Sequence, residues 1–377
     1  MPGRPPIASS AALNVGILAD TVDHPGGIGR YVREVLAACD RRDDVDVVVA
    51  TPQHSAATVR SLMTHRLAAI VTAPVSDQVS LALWDRHRAG AAFAGAGVDV
   101  VIGCKHLVPR TTVPTVLVVH DLLTITRARE NAPVKRVLLP RQYRQSLTSA
   151  THLVAVSAAT RDRLATLDPG WATKCDVVPN GMSRTLMTVD PAAPDALAGR
   201  EFALVVGDLS PRKNLRLLTE LWATEPPTGL MLAVVGPEAG GDREARAALV
   251  ALERAGRVVW IRGATDPTLR WCYEHARVVL FPTLEEGFGL PLLEAMSFHA
   301  PVVASTDAAL VEVAAGDASV VHVAPTDRAA WRAAIAAAVA RPRVALPPTV
   351  PPGALTWDEH TERLLAIARH TAGREAT

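Results

Sequence analysis

Short runs of valine, isoleucine and leucine alternate with helical stretches along this chain, and the alternation runs through twice. The apolar runs of the first pass are Leu13–Leu18, Val45–Ala50, Val98–Gly103, Pro114–His120 and Leu153–Ser157, and Val177–Gly181 closes that half. Those of the second are Phe202–Gly207, Leu230–Gly236, Val258–Ile261, Val278–Phe281, Pro301–Ala304 and Ser319–Val323. Continuous apolar runs predict strands buried on both faces, hence parallel sheets covered by helices. At 377 residues the chain is too long for one core and suits two such units. The pattern predicts a loose tail over 1–12, a first domain over 13–187 and a second over 200–355. Pro191, Pro194 and Gly199 mark 188–199 as the linker, and 356–377 reads as a last helix and tail. Two units of this kind are expected to bind ligands in a cleft facing the C-terminal strand edges.

Charge and cysteine usage narrow the function classes. A net charge of +1 argues against a nucleic-acid partner. Cys39, Cys104, Cys175 and Cys272 lie far apart with no C-x-x-C pair, which fits a reduced, cytoplasmic protein. No segment approaches the ~18 apolar residues that span a bilayer. Met1–Ala12 lacks the apolar stretch of a signal peptide. Asp44-Val45-Asp46 precedes a strand instead of ending one and reads as a solvated turn, and no metal site is expected. Arg127–Arg144 carries six cations, Arg127, Arg129, Lys135, Arg136, Arg141 and Arg144, against Glu130. A solvated helix face is the first reading of that segment; an anionic acceptor or the inner face of a membrane is the other.

Four stretches follow strands and carry chemistry. His24–Tyr31 opens a helix with Gly26, Gly27 and Gly29, but Gly27-x-Gly29 has no further glycine at the spacing of a dinucleotide fingerprint, and no acid ends the second strand. A substrate or phosphate loop and a plain turn both remain open for it. His120-Asp121 ends a strand, where His120 either meets a substrate hydroxyl or is a satisfied structural histidine. Gly207–Asn214 places Arg212 and Lys213 at a strand mouth, suiting a diphosphate or an exposed basic turn. Val279–Met296 is a strand, a loop with Gly287 and Gly289, and a helix from Pro291. It makes an anion cradle bracketed by Glu286 and Glu294. Glu294 lies opposite Leu292 and Met296 and reads either as an acceptor for sugar hydroxyls or as a solvated surface acid.

The last two stretches, in this order and spacing, resemble the retaining glycosyltransferases of family 4, which have the GT-B fold. Glu286 and Glu294 around Gly287-Phe288-Gly289-Leu290-Pro291 look like that family's E-x7-E signature, and Gly207–Asn214 like its donor-phosphate loop. Lesser matches are Gly26–Tyr31, His120-Asp121, Val156-Ser157 with Thr160-Arg161, Val178–Gly181, Glu312 and the helix from Trp357, so the resemblance spans about 13–370. Phe298-His299-Ala300-Pro301 departs from the small residue and glycine many members carry, and Asp208 stands where many have arginine. Pro211-Arg212-Lys213-Asn214 resembles a branch that includes polysaccharide mannosyltransferases, implying mannose from GDP-mannose.

The resemblance implies two Rossmann-like domains, the last helix crossing back to the first. It implies metal-free retaining transfer of a hexose from a nucleotide diphosphate sugar to a glycan, lipid-linked or small-molecule hydroxyl. Arg212, Lys213, Glu286 and His120 are then the catalytic set. Gly27, Gly207, Gly263, Gly287, Phe288, Gly289, Leu290 and Glu294 join Arg212, Lys213 and Glu286 on the donor, with Glu294 on the ribose and Glu286 on the sugar. Gly29, Arg30, Tyr31, His120 and Asp121 face the acceptor. The rival readings are an NDP-sugar epimerase or phosphorylase of the same fold, and a degenerate binding subunit.

Overall fold

The computed structural model describes residues 12–75, 77–128, 133–224, 226, 229–239, 241–343 and 346–374. The expected tail over 1–11, and Arg129 and Glu130 of the basic segment, lie outside the described residues. The chain divides into two compact units. One holds residues up to Val156, Arg161–Val178 and Asp358 onward; the other holds Ser157–Thr160 and Pro179–Trp357.

The strands of the first unit are β1 (Leu13–Leu18), β2 (Val45–Pro52), β3 (Leu67–Ala73), β4 (Val100–Gly103), β5 (Thr115–Val119), β6 (His152–Ala155) and β7 (Cys175–Val177). They form a parallel sheet in the order β3-β2-β1-β4-β5-β6-β7. β5 is buried at all five positions, as a strand covered on both faces must be. From Asp358 onward the last helix, Trp357–Thr371, belongs to this unit. Leu364, Leu365 and Ala368 are buried, and buried His360 meets the Tyr31 hydroxyl at 3.0 Å.

In the second unit β8 (Gly181–Met182) pairs with β15 (Leu355–Thr356). The main sheet there comprises β9 (Phe202–Val206), β10 (Met231–Val235), β11 (Val258–Ile261), β12 (Val278–Phe281), β13 (Val302–Ser305) and β14 (Val320–Val323). Its order is β11-β10-β9-β12-β13-β14, all parallel. Trp222, Trp260 and Trp331 anchor its core. The buried indole N–H groups of Trp222 and Trp331 donate to the carbonyls of Leu230 and Ala324, so neither ring carries an unmade hydrogen bond.

Both sheets are doubly wound. The strand order reverses between β1 and β4 in the first and between β9 and β12 in the second. Loops leaving two such strands diverge to opposite faces, opening a crevice at their carboxyl ends.

The chain enters the second unit after Val178, earlier than a linker over 188–199 predicts. Those residues are part of the second unit. Leu197 is buried, and the Arg270 guanidinium donates to the carbonyls of Met187 and Val189. Prolines that end a helix do not prevent side chains from packing.

Candidate active site

The site of the second unit lies at its strand reversal. The segment after β9 turns through Gly207, whose φ of 155° is a conformation that residues with a side chain rarely adopt. A Cβ on Gly236 would lie 1.9 Å from the Gly207 carbonyl oxygen. A single 3-10 turn, Pro211–Lys213, then presents the two cations, and Asn214 closes it in the left-handed region at φ 53°. The Asn214 amide donates to the carbonyls of Pro282 and Pro325 at 3.0 and 2.9 Å. The Arg212 carbonyl accepts from Leu284 N and the Thr283 hydroxyl. The loop after β9 is thereby fastened to the loop after β12.

This fastening brings three charges together. Arg212 Nη1 lies 2.9 Å from both Glu286 carboxylate oxygens, and Lys213 Nζ lies 2.6 Å from Oε2. All three side chains are at most one-fifth exposed. Burial alone would raise the Glu286 carboxyl, but Arg212 and Lys213 outweigh it and hold it at about 2. Glu286 is therefore ionised under all ordinary conditions.

The loop continues to the helix Leu290–Ser297, which starts one residue before the expected Pro291 because Gly289, at φ 101°, is its N-cap. A Cβ there would lie 2.5 Å from Leu310 Cδ2, a side-chain end that can shift, so the backbone conformation is what favours glycine. Phe288 is buried and Leu290 half-buried. The Gly287 carbonyl accepts from the Ser157 and Thr160 hydroxyls at 2.6 and 3.0 Å, and Glu312 accepts from the amides of Ala158 and Ala159. The lesser motifs thus support the loop.

Glu294 is 4 % exposed, which overturns its reading as a solvated surface acid. Every residue from Leu292 to Ser297 is buried, so this short helix has no solvent face at Glu294. The Tyr273 hydroxyl, from the helix Asp266–His275, donates to Glu294 Oε2 at 2.8 Å. Tyr273 is a residue missed by the motif reading, and Asn214, which closes the basic motif, was given no role there. An asparagine just after a basic turn carries a signal for the left-handed cap; nothing around Tyr273 marks it. Gly263 follows β11 beside open space, where a Cβ would meet nothing within 4 Å.

In the first unit two of the predicted residues meet, His120 and Tyr31. His120 Nε2 lies 3.0 Å from the Cys104 carbonyl, which makes it the protonated nitrogen, and the Tyr31 ring stands edge-on at 4.5 Å. Tyr31 is fully buried, a core residue of this unit. Asp121 caps the turn at Leu123 N, and its carbonyl accepts from the Tyr143 hydroxyl. Gly27 begins the helix Gly27–Asp40, and Gly29 packs where a Cβ would strike the His24 carbonyl oxygen. Arg30 lies half-buried on the same helix, with its amide on the Gly26 carbonyl.

Burial lowers both His106 and His120 to about 4, against the ordinary 6.5. A histidine depressed in the folded state stabilises fully above pH 6.5, and that contribution is lost as pH falls towards 4. The Glu286 contribution is complete above 4.5 and lost only as pH falls towards 2. Acid titration followed by hydrogen exchange on peptides from each unit is expected to open the first unit at milder acidity than the second. The reverse order would contradict these assignments.

A doubly wound unit with two cations and two carboxylates at its strand reversal offers groups chemically suited to phosphates and hydroxyls. Comparison with known proteins gives the class. The model described as Glycosyl transferases group 1 matches residues 190–345, and that described as Glycosyltransferase Family 4 matches 25–185. The chain belongs to the glycosyltransferase family these two models describe, with the GT-B fold. It is 31% identical over 228 residues to O-antigen chain mannosyltransferase B of Escherichia coli, covering 56% of this chain and 58% of that protein. The chain thus spans little more than half of that relative. Among solved structures, sucrose-phosphate synthase from Thermosynechococcus elongatus matches with a TM-score of 0.65 at 19% identity, covering 96% of this chain and 97% of that one. Anabaena HepE in complex with UDP-glucose matches with a TM-score of 0.64 at 16% identity, covering 96% and 98%. At these identities the structures speak for the fold. Among the described residues no helix is long and apolar enough to cross a membrane.

Proposed function

We propose that the chain is a retaining, metal-independent glycosyltransferase that moves a hexose, mannose from GDP-mannose in first place, to a hydroxyl of a glycan, lipid-linked or small-molecule acceptor. The observation that carries this reading is the Arg212–Lys213–Glu286 cluster at the reversal of the second sheet. Breaking the bond between the sugar C1 and its phosphate oxygen leaves negative charge on the diphosphate and builds positive charge on the sugar. Arg212 and Lys213 stabilise the first, replacing the metal ion other enzymes use for it. Glu286, ionised and aligned by both, accepts from sugar hydroxyls, and Glu294 from the ribose. The acceptor oxygen bonds to C1 on the face the phosphate leaves, and its proton passes to the departing phosphate oxygen. Family membership supports glycosyl transfer, and the mannosyltransferase relative favours mannose as the sugar. The four buried, widely spaced cysteines fit action in the reducing cytoplasm.

A thermal-shift panel of GDP, UDP and ADP sugars, followed by product analysis with donor and candidate acceptors, tests the reading. GDP-mannose is expected to give the largest shift, with transfer persisting in EDTA. A shift with UDP or ADP sugars alone would replace the donor. Activity lost in EDTA and restored by Mg²⁺ or Mn²⁺ would refute metal independence, and turnover of donor without acceptor would favour an epimerase.

A further inference from the structure

The first unit has a strand reversal of its own, and three charged groups stand there that the donor reading does not use. Asp20 lies two residues past the end of β1 and Lys105 two past the end of β4, the strands between which the order reverses. Lys105 Nζ is 3.8 Å from Asp20 Oδ2, beyond direct hydrogen-bond reach, and the two side chains are 34 % and 18 % exposed. Asp85 completes the cluster from the helix Gln78–His87. That helix is fastened to the loop after β4, where Arg110 N donates to the Arg86 carbonyl.

Asp85 is 4 % exposed, and no hydrogen bond reaches its carboxyl among the described residues. The Thr21 hydroxyl, next to Asp20 in the loop, is buried and likewise without a partner among them. Buried polar groups are normally paired, so two of them left unmade at one strand edge point to a ligand.

Charge tells which ligand. Burial, reinforced by Asp20, pushes the Asp85 carboxyl up to about 8, and burial raises Asp20 against the pull of Lys105. At neutral pH the pair therefore retains a proton. The three groups together then present an acid O–H, a carboxylate and an ammonium, with no net charge. His106 and His120, which Lys105 also faces, are kept neutral by burial. A phosphate arriving here meets the carboxylate, and an amine meets the ammonium. A hydroxyl meets neither penalty, because it donates to the carboxylate while accepting from the ammonium or the acid.

We propose that Asp20, Asp85 and Lys105 bind neighbouring hydroxyls of an uncharged sugar ring, which is the acceptor, and discriminate against sugar phosphates. That this sugar is the acceptor rests on the transferase reading; that it binds does not.

The test uses the full 377-residue chain without donor. Binding is measured by saturation-transfer NMR with methyl α-D-mannoside, methyl α-D-glucoside, mannose 6-phosphate and glucosamine. At least one neutral glycoside is expected to bind, and the sugar phosphate and the amino sugar at least about tenfold more weakly. Asp20→Asn should bind that glycoside about tenfold more weakly, because an amide is a poorer acceptor than a carboxylate. The same variant should bind mannose 6-phosphate more tightly than the parent does. Lys105→Gln should weaken both. A gain for the phosphate is not something a loosened or misfolded first unit gives. Parent-like binding of every probe by both variants would overturn the assignment. So would a parent that prefers the sugar phosphate or the amino sugar, or that binds no neutral glycoside. Binding that follows these expectations in a protein that no nucleotide sugar stabilises would keep the cluster and overturn the transferase reading instead.

Discussion

Lys213→Ala is expected to lower turnover by about 10²–10³-fold while moving the melting midpoint little. The lost ammonium is one of the two charges facing the departing diphosphate. The fold is spared because Arg212 Nη1 still reaches both oxygens of Glu286, so no carboxylate is left buried alone. Glu286→Ala is the contrasting case. It leaves Arg212 and Lys213 adjacent, with side chains 20 % and 12 % exposed and their shared carboxylate gone. That variant is expected to lose activity together with about 3 kcal/mol of stability in the second unit. Steady-state kinetics beside calorimetric melting separates the two. Full turnover by Lys213→Ala would remove the cation pair from the mechanism.

The second large effect is at Glu294. Its carboxylate is buried and takes the Tyr273 hydroxyl at 2.8 Å, so a role in holding the helix and a role in holding the donor must be told apart. Glu294→Gln keeps the volume and an acceptor oxygen for Tyr273, and should melt within about 1 kcal/mol of the parent. Its donor KM is nevertheless expected to rise at least about tenfold, because an amide is a weaker acceptor than a carboxylate for ribose hydroxyls. Glu294→Ala should add about 2–3 kcal/mol of destabilisation from the cavity and the unpaired tyrosine hydroxyl. An unchanged donor KM in Glu294→Gln would make Glu294 a structural acid only.

Much of the architecture was legible because parallel strands covered on both faces must be apolar throughout, as the run Val116–Val119 is. The strands missed are edge strands. Leu67–Ala73 borders the first sheet with most of its residues exposed or half-exposed, and Cys175–Val177 is three residues long at the other border. Cys175–Val177 is too short to stand out as an apolar run, whereas Leu67–Ala73 is apolar at every position but Thr72 and was a strand candidate by composition. Periodicity likewise misplaced Glu294. Over the eight residues of Leu290–Ser297 an amphipathic stripe is too short to show that the helix is covered at nearly every position.

The sequence alone determined which groups stand where the strands end: the Arg212-Lys213 pair after one apolar run, and two glutamates around paired glycines after another. Strand ends are local events, written in the change from valines to prolines and glycines. Tertiary structure decided that these groups meet. Arg212 and Glu286 are 74 residues apart, with β10 and β11 between them in the chain. They touch because the sheet pairs β9 with β12 and sends the intervening strands to its other side. That pairing is set by the packing of the whole sheet, and no local pattern carries it.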